Sequence, residues 1–146
     1  MQKLIECLEQ DHDMIRTLMN YIHSEEVKLA QKKKHFEKFA SVVLSNIKSE
    51  EHALYVPSRV FRSSYMRDRI QTGLKQHFMI KSAIVKLRLL EDDATWMQEF
   101  NALSEILEYH LGEEESEFFA ELSRGLSDEQ LGWASEHYLS MRSDCT

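Results

Sequence analysis

Glycine and proline are scarce in this sequence: its 146 residues include four glycines and one proline. Tight turns and strand ends rely on these residues, so their scarcity favours a mostly helical chain. Long uncharged apolar runs are also absent, which argues against a membrane-spanning helix, and the first residues lack the apolar stretch of a signal peptide. The sequence therefore predicts a soluble, all-α protein with no membrane partner.

Cysteine is almost as rare, since the chain contains only Cys7 and Cys145. They form no CxxC pair and offer no disulfide framework, so we expect reduced thiols and a cytoplasmic location. The formal net charge of -7 argues against a nucleic-acid partner. The length fits one domain, which we expect to span residues 1–146.

Apolar residues recur every three or four positions along four segments, which is the spacing of one helix face. The four stripes run over residues 5–22, 36–53, 70–87 and 96–118. The polar segment from Ser24 to Lys34 is predicted to connect the first two helices, and Pro57 lies just beyond the second. Capping-box patterns at Thr95 and Ser127 mark two helix starts, and Gly125 suits a left-handed residue that closes a helix.

Short connections between long helices favour antiparallel neighbours. The predicted fold is therefore an antiparallel up-down-up-down four-helix bundle with a core at about residues 3–124. A short C-terminal fifth helix is expected at about residues 127–141, where it would pack on the outside of the bundle.

Polar residues interrupt all four apolar stripes. They are His12, Asn46, Glu50, His77, His110 and Glu114. A helix rises about 1.5 Å per residue, and on that scale all six lie within about two or three turns of one level. A buried carboxylate without a partner is costly, and a bound cation would offset that cost.

Another interpretation of these residues stays open at this point. A single histidine on an apolar face is more often a satisfied core residue than a metal ligand. Glu50 lies near the end of its helix, where a carboxylate commonly forms a cap or a salt bridge. Periodicity and level alone therefore leave both a metal site and an ordinary polar core open.

Four sequence segments, one in each predicted helix, resemble motifs of the hemerythrin-like (HHE) family. They are Asp11-His12, the segment Glu50-Glu51-His52-Ala53-Leu54-Tyr55-Val56-Pro57, the segment Gln76-His77-Phe78-Met79-Ile80, and the segment from His110 to Phe119. The corresponding family patterns are Asp-His, Glu-Glu-x-x-Leu-Tyr/Phe-Pro, Glu-His-x-x-Ile and His-x-x-x-Glu-Glu-x-x-Phe-Phe. The resemblance covers about residues 5–122.

This resemblance implies a four-helix bundle that encloses a dinuclear non-haem iron centre or a related metal centre. The departures of this sequence from the family pattern favour a mononuclear or asymmetric centre instead. The ligands it implies are His12, Glu50, His77, His110 and Glu114, with the two glutamates as bridging carboxylates. Imidazole and carboxylate ligands also suit zinc or manganese. The partners it implies are the metal ion and a diatomic ligand.

The sequence departs from the family pattern at Asn46 and beside His77, and Val56 is inserted before the proline of the second motif. Asn46 stands where the family has a histidine, so it would be a weak ligand or a neighbour of the ligands. Oxygen-carrying hemerythrins have a second histidine one turn from His77, where this chain has Gly73 and Lys81. Reversible oxygen carriage is therefore not expected, and Lys81 is expected to pair with a carboxylate or to extend outward.

Three functions remain after this comparison. The first is a sensor or handler of oxygen, nitric oxide, iron or redox stress. The second is a metal-dependent enzyme of oxygen or peroxide chemistry or of iron-centre repair. The third is a degenerate bundle that acts as a regulatory interaction module, which Asn46 favours. The sequence indicates no substrate pocket, so the first function is preferred to the second.

Overall fold

Helices account for nearly all of the chain. The computed structural model describes residues 2–55, 57–60 and 63–143, and Val56 and Cys145 lie outside this part. Its α-helices are α1 (Gln2–His23), α2 (Leu29–Glu50), α3 (Ser64–Leu89), α4 (Asp93–Glu113), α5 (Phe119–Gly125) and α6 (Asp128–Ser143). No strand occurs among these described residues, so the predicted all-α class is confirmed.

Two π-helical segments and one 3₁₀ segment are the other helical elements of the described residues. The first π-helical segment (Glu51–Tyr55) continues α2, and the second (Glu114–Phe118) joins α4 to α5. The 3₁₀ segment is Pro57–Val60. The fourth predicted helix is thus one continuous helical segment from residue 93 to residue 125, widened for one turn in the middle.

Local hydrogen bonds determine where several helices begin. Ser127 and Gln130 form the predicted reciprocal cap of α6, with Gln130 N donating to Ser127 Oγ over 3.2 Å. The predicted cap at Thr95 is wrong, because Asp92 caps α4 by accepting a hydrogen bond from Thr95 N at 2.9 Å. Gly125 does not have the left-handed conformation expected of it.

The connection between α1 and α2 is shorter than predicted. Only residues 24–28 separate the two helices, and α2 begins at Leu29. Leu29 packs against the buried core, so an apolar contact extends the helix into a segment that looks like a polar linker in sequence.

The apolar interior is divided into two parts. The four-helix core consists of buried side chains from α1 to α4, among them Ile15, Val43, Ile84 and Phe100. The α6-side core combines the start of α1, both π-helical segments, α3, α5 and α6, and includes Leu8, Ile70, Phe119 and Tyr138.

Between these two cores lies one layer of polar side chains, here called the polar layer. Its members are His12, Asn46, Glu50, His77, His110 and Glu114, all of them buried. The apolar neighbours along each helix belong to the four-helix core on one side and to the α6-side core on the other. The polar groups of α1, α2, α3, α4 and the second π-helical segment thus lie at the same level along the bundle.

Helix α6 contributes more than the outer covering that was predicted. It packs against α1, α2 and the first π-helical segment. Leu131, Ala134 and Tyr138 are buried, and Tyr138 has no exposed surface. In the described part of the chain, no helix has the length and apolar character needed to cross a membrane.

Candidate metal centre

Four side chains of the polar layer form a compact group of ligand atoms. Glu50, His77, His110 and Glu114 each offer one nitrogen or oxygen atom, and these atoms lie within 4.8 Å of one another. All four residues are buried, so water does not surround the group. Two imidazoles and two carboxylates at this separation are a donor set that suits iron, zinc or manganese.

His12 lies at the edge of this group. Its Nε2 is 3.0 Å from Glu50 Oε2 and 3.4 Å from Glu114 Oε1. The structure therefore brings all five ligands implied by the resemblance to one place, with His12 hydrogen-bonded to Glu50 and facing Glu114. Asn46 lies one helical turn before Glu50, and its side chain donates a hydrogen bond to Tyr138 rather than to any of the five.

The three histidines have a common orientation. Each directs Nε2 to the centre and Nδ1 to an acceptor outside it. The Nδ1 atom of His12 is 3.1 Å from Glu115 Oε1 and that of His110 is 2.6 Å from Gln76 Oε1, whereas that of His77 faces Glu51 Oε2 at 3.7 Å, which is beyond hydrogen-bond range. An acceptor behind Nδ1 holds a histidine in the tautomer whose Nε2 lone pair can bind a metal.

The two histidines from α3 and α4 meet directly. Nε2 of His77 and Nε2 of His110 are 2.9 Å apart, while Nε2 of His110 is 3.3 Å from Glu114 Oε1. If both imidazoles carry their proton on Nδ1, the two Nε2 lone pairs face each other. Such an approach is unfavourable without a cation between the two nitrogens.

The two central carboxylates have opposite electrostatic environments. Burial and the negative charge of Glu114 raise the pKa of Glu50. Burial acts to raise the pKa of Glu114 too, but His110 and His12 outweigh it and hold that pKa well below its ordinary value. Glu114 is therefore the carboxylate whose charge the surrounding imidazoles favour.

Two of the histidines bind protons tightly when no metal is present. Burial lowers the pKa of His12, but the neighbouring carboxylates of Glu114, Glu115 and Glu50 outweigh burial and raise this pKa well above its ordinary value. Burial is likewise outweighed at His77, whose pKa rises to about 9. The carboxylates therefore make the centre favourable for a positive charge. Protons on His12 and His77 compete there with a metal ion.

Several buried atoms of the centre have no hydrogen-bond partner. They are Glu50 Oε1, Glu114 Oε1 and His77 Nδ1. A buried polar atom without a partner costs about 1–3 kcal/mol, more when it is charged. Metal coordination by the two carboxylate oxygens would remove this cost, so the residues present fit a bound metal.

Tyr55 touches the centre although periodicity did not select it. Its hydroxyl donates to Glu114 Oε2 over 2.7 Å, and its ring lies 5.0 Å from that of His77. Burial and then the charges of Glu114 and Glu50 raise the pKa of Tyr55 well above its ordinary value. Gly73 leaves the space that the Tyr55 ring fills. The sequence signal was its place in the second family motif.

Tyr138 is the second residue that the sequence did not reveal. Asn46 Nδ2 donates to the Tyr138 hydroxyl over 3.1 Å, and this hydroxyl donates to Asp11 Oδ2. Burial, with the negative charges of Glu50 and Asp11, raises the pKa of Tyr138 far above its ordinary value. Tyr138 therefore stays a neutral donor beside the centre.

Charged residues around the centre pair with the outer carboxylates. Lys81 Nζ lies 3.2 Å from Glu51 Oε1, which is the carboxylate pairing considered for it above. Arg16 lies 2.6 Å from Glu115 Oε1 in the same way. Both cations thus act on the glutamates behind His77 and His12, and neither points into the centre.

A small cavity adjoins the centre on the side of α3 and α4. Its lining includes Tyr55, Gly73, His110 and Glu114. It has room for about one water-sized molecule. A ligand of two heavy atoms would need a small displacement of the lining.

Comparisons with known proteins agree with this geometry. A sequence model described as the hemerythrin HHE cation binding domain matches residues 3–122. The searches of curated proteins and of solved structures gave no match. The matched range contains all of the polar layer and ends before α6.

Proposed function

Because this chain belongs to the hemerythrin HHE cation-binding family, we propose that it binds non-haem iron, or else zinc or manganese, and senses or handles oxygen, nitric oxide, iron or redox stress. The ligands in this proposal are His12, Glu50, His77, His110 and Glu114. Iron bound there would supply redox chemistry and an affinity for diatomic molecules.

The observation that carries the proposal is the convergence of donors in a buried layer. Three imidazoles direct Nε2 to one point, and Glu50 and Glu114 each have an oxygen there without a hydrogen-bond partner. A structural polar network would normally satisfy such atoms internally. Unpaired carboxylate oxygens beside facing imidazole nitrogens favour a cation in the functional protein.

The protein's own side chains have separable roles in this proposal. The five ligands hold the metal, and Glu115, Glu51 and Gln76 orient the histidines from behind. Tyr55 holds Glu114 in place through its hydroxyl. The cavity beside Tyr55 and His110 supports the binding of a small ligand next to the metal.

The proposed frame for this centre is the antiparallel up-down-up-down bundle. This arrangement is supported by contacts between neighbouring helices. As the residue number rises along one helix, the number of its contact partner on the next helix falls. They are Tyr21–His35 and His12–Glu50 for α1 and α2, Arg88–Glu37 and His77–Glu50 for α2 and α3, and Lys86–Glu99 and Tyr65–Glu117 for α3 and the helical segment that begins with α4. We treat residues 1–146 as one domain and propose a cytoplasmic location, where the free thiol of Cys7 would stay reduced.

The direct test is the metal content of purified protein. We expect bound metal in the wild-type chain after iron-supplemented expression and a loss of at least about tenfold in metal affinity for His110→Ala. His52→Ala is the matched control, because His52 is exposed and points away from the polar layer. Elemental analysis of both variants, together with the visible spectrum before and after addition of nitric oxide, provides the readout. A wild-type chain without metal, or equal loss in both variants, would contradict the proposal.

A further inference from the structure

The C-terminal helix inserts one side chain next to the metal centre. Helix α6 begins at Asp128, beyond the range that the family model matches, yet its Tyr138 has no exposed surface. The Tyr138 hydroxyl bonds to Asn46 and to Asp11, and Arg142 of the same helix lies 2.8 Å from Asp11 Oδ1. Two residues of α6 are therefore tied to the first two helices beside the polar layer.

Asn46 and Tyr138 lie on the α1–α2 side of the polar layer, because the Tyr138 hydroxyl also bonds to Asp11, which precedes His12 in the sequence. Asn46 lies four residues before Glu50, so both side chains project from the same face of α2. An imidazole extends farther from the backbone than a carboxamide does. With the phenol oxygen 3.1 Å from Asn46 Nδ2, a longer ring at position 46 would meet the Tyr138 hydroxyl.

The ligand atoms are distributed unevenly across the centre. On the side of α3 and α4, His77 and His110 join Glu50 and Glu114 in one group within 4.8 Å. On the side of α1 and α2, the described residues offer one nitrogen ligand, His12, and it faces the same two carboxylates. A second ion on that side would have one ligand of its own and would share both carboxylates with the first.

We infer that the centre takes one metal ion, held by the His77–His110 side, and that the hydrogen-bonded pair of Asn46 and Tyr138 closes the His12 side to a second ion. This inference rests on the proposed metal-binding function and specifies its stoichiometry. It also assigns a role to α6. This helix supplies Tyr138, which forms a neutral hydrogen-bonded pair with Asn46 where the family has a histidine ligand.

The test counts metal ions per chain by titration with cobalt(II) and by elemental analysis after iron(II) loading and desalting. We expect one ion in the wild-type chain and two in Asn46→His/Tyr138→Phe, which adds an imidazole and removes the hydroxyl that it would meet. Tyr138→Phe alone is the matched control and should keep one ion, because it adds no ligand. Circular dichroism of each variant checks that the helices are retained, and Asn46→Asp/Tyr138→Phe, which adds a carboxylate ligand without lengthening the side chain, serves if the first double variant fails to fold.

Each outcome separates the two proposals. Two ions in the wild-type chain would overturn the inference and leave the proposed function intact. No bound ion in the wild-type chain would overturn both. One ion in a folded double variant that carries a ligand at position 46 would overturn the role given to Asn46 and Tyr138. If Tyr138→Phe alone gained a second ion, Asn46 would not be what prevents a second ion from binding.

Discussion

The residue that faces Nδ1 of each histidine in the centre is adjacent in sequence to another member of the polar layer. Glu115 follows Glu114 and stands behind His12, and Glu51 follows Glu50 and stands behind His77. Neighbouring residues on a helix point about 100° apart. One glutamate of each pair therefore faces the centre while the other reaches around the side of a histidine on the neighbouring helix.

Replacement of Gly73 by alanine tests how tightly the residues around the centre are packed. A Cβ atom at this position would overlap with Cε1 of Tyr55, whose hydroxyl is held by Glu114. We expect Gly73→Ala to lower the free energy of unfolding of the metal-free protein by about 1–3 kcal/mol, since the buried ring must move. Urea denaturation measures this change.

Gly112 is the matched control for that experiment. It also lies within a helix, but a Cβ there would meet nothing within 4 Å. Gly112→Ala should therefore raise the free energy of unfolding by up to about 1 kcal/mol through helix propensity. Equal effects of the two substitutions would show that Tyr55 is not held as tightly as its contacts indicate.

At the scale of whole elements, the two π-helical segments begin at or directly after a central glutamate. The first starts at Glu51 and the second at Glu114. A π-helical turn accommodates an extra residue, so it shifts which side chains face inward, and such turns are frequent at functional sites. Consecutive buried residues follow in both cases, as with Leu54 and Tyr55 or with Phe118 and Phe119. A strict period of 3.6 residues cannot predict these pairs.

Helix α6 gives a prediction at the scale of an element. Ser127 Oγ caps its first turn by accepting from Gln130 N, so Ser127→Ala should cost about 1 kcal/mol of stability. We expect faster amide hydrogen exchange in residues 128–131 and faster release of bound metal to a chelator, because α6 holds Tyr138 beside the centre. Ser123→Ala is the control, since the Ser123 hydroxyl only bonds back to Phe119 O within α5.

The result that would count against this role of α6 is specific. If Ser127→Ala speeds exchange in the first turn of α6 while metal release stays equal to that of Ser123→Ala, then α6 does not retain the metal. Its packing against α1 and α2 would then be a purely structural contact.

At the scale of the whole molecule, the polar layer connects stability to pH. Burial lowers the pKa of His77, but Glu50 and Glu51 outweigh it and raise the value to about 9, above the value of about 6.5 for an unfolded chain. The folded state therefore binds this proton more tightly than the unfolded state. The stabilisation is complete below about pH 6.5 and is lost as the pH rises through 9.

The melting temperature of metal-free protein and the affinity for metal should therefore change with pH in opposite directions. We expect the melting temperature of metal-free protein to fall between about pH 6.5 and 9. Metal affinity should rise over the same interval, because a metal needs the Nε2 lone pair that the proton occupies. His77→Gln should flatten the first curve in part, with the raised pKa of His12 providing the remainder, while His52→Gln should leave it unchanged. A melting temperature that rises with pH in metal-free protein would contradict this account.

The sequence by itself determined the helical class and the inward direction of His12, Glu50, His77, His110 and Glu114. Helical periodicity is a local property, and each of these residues continues an apolar stripe of its own segment. The tertiary structure alone decided that Tyr138 reaches Asn46 and Asp11, that Tyr55 fills the space above Gly73, and which acceptor stands behind each histidine. These contacts depend on how far each helix is rotated and shifted against its neighbours, and the periodicity of a single helix carries no information about either quantity.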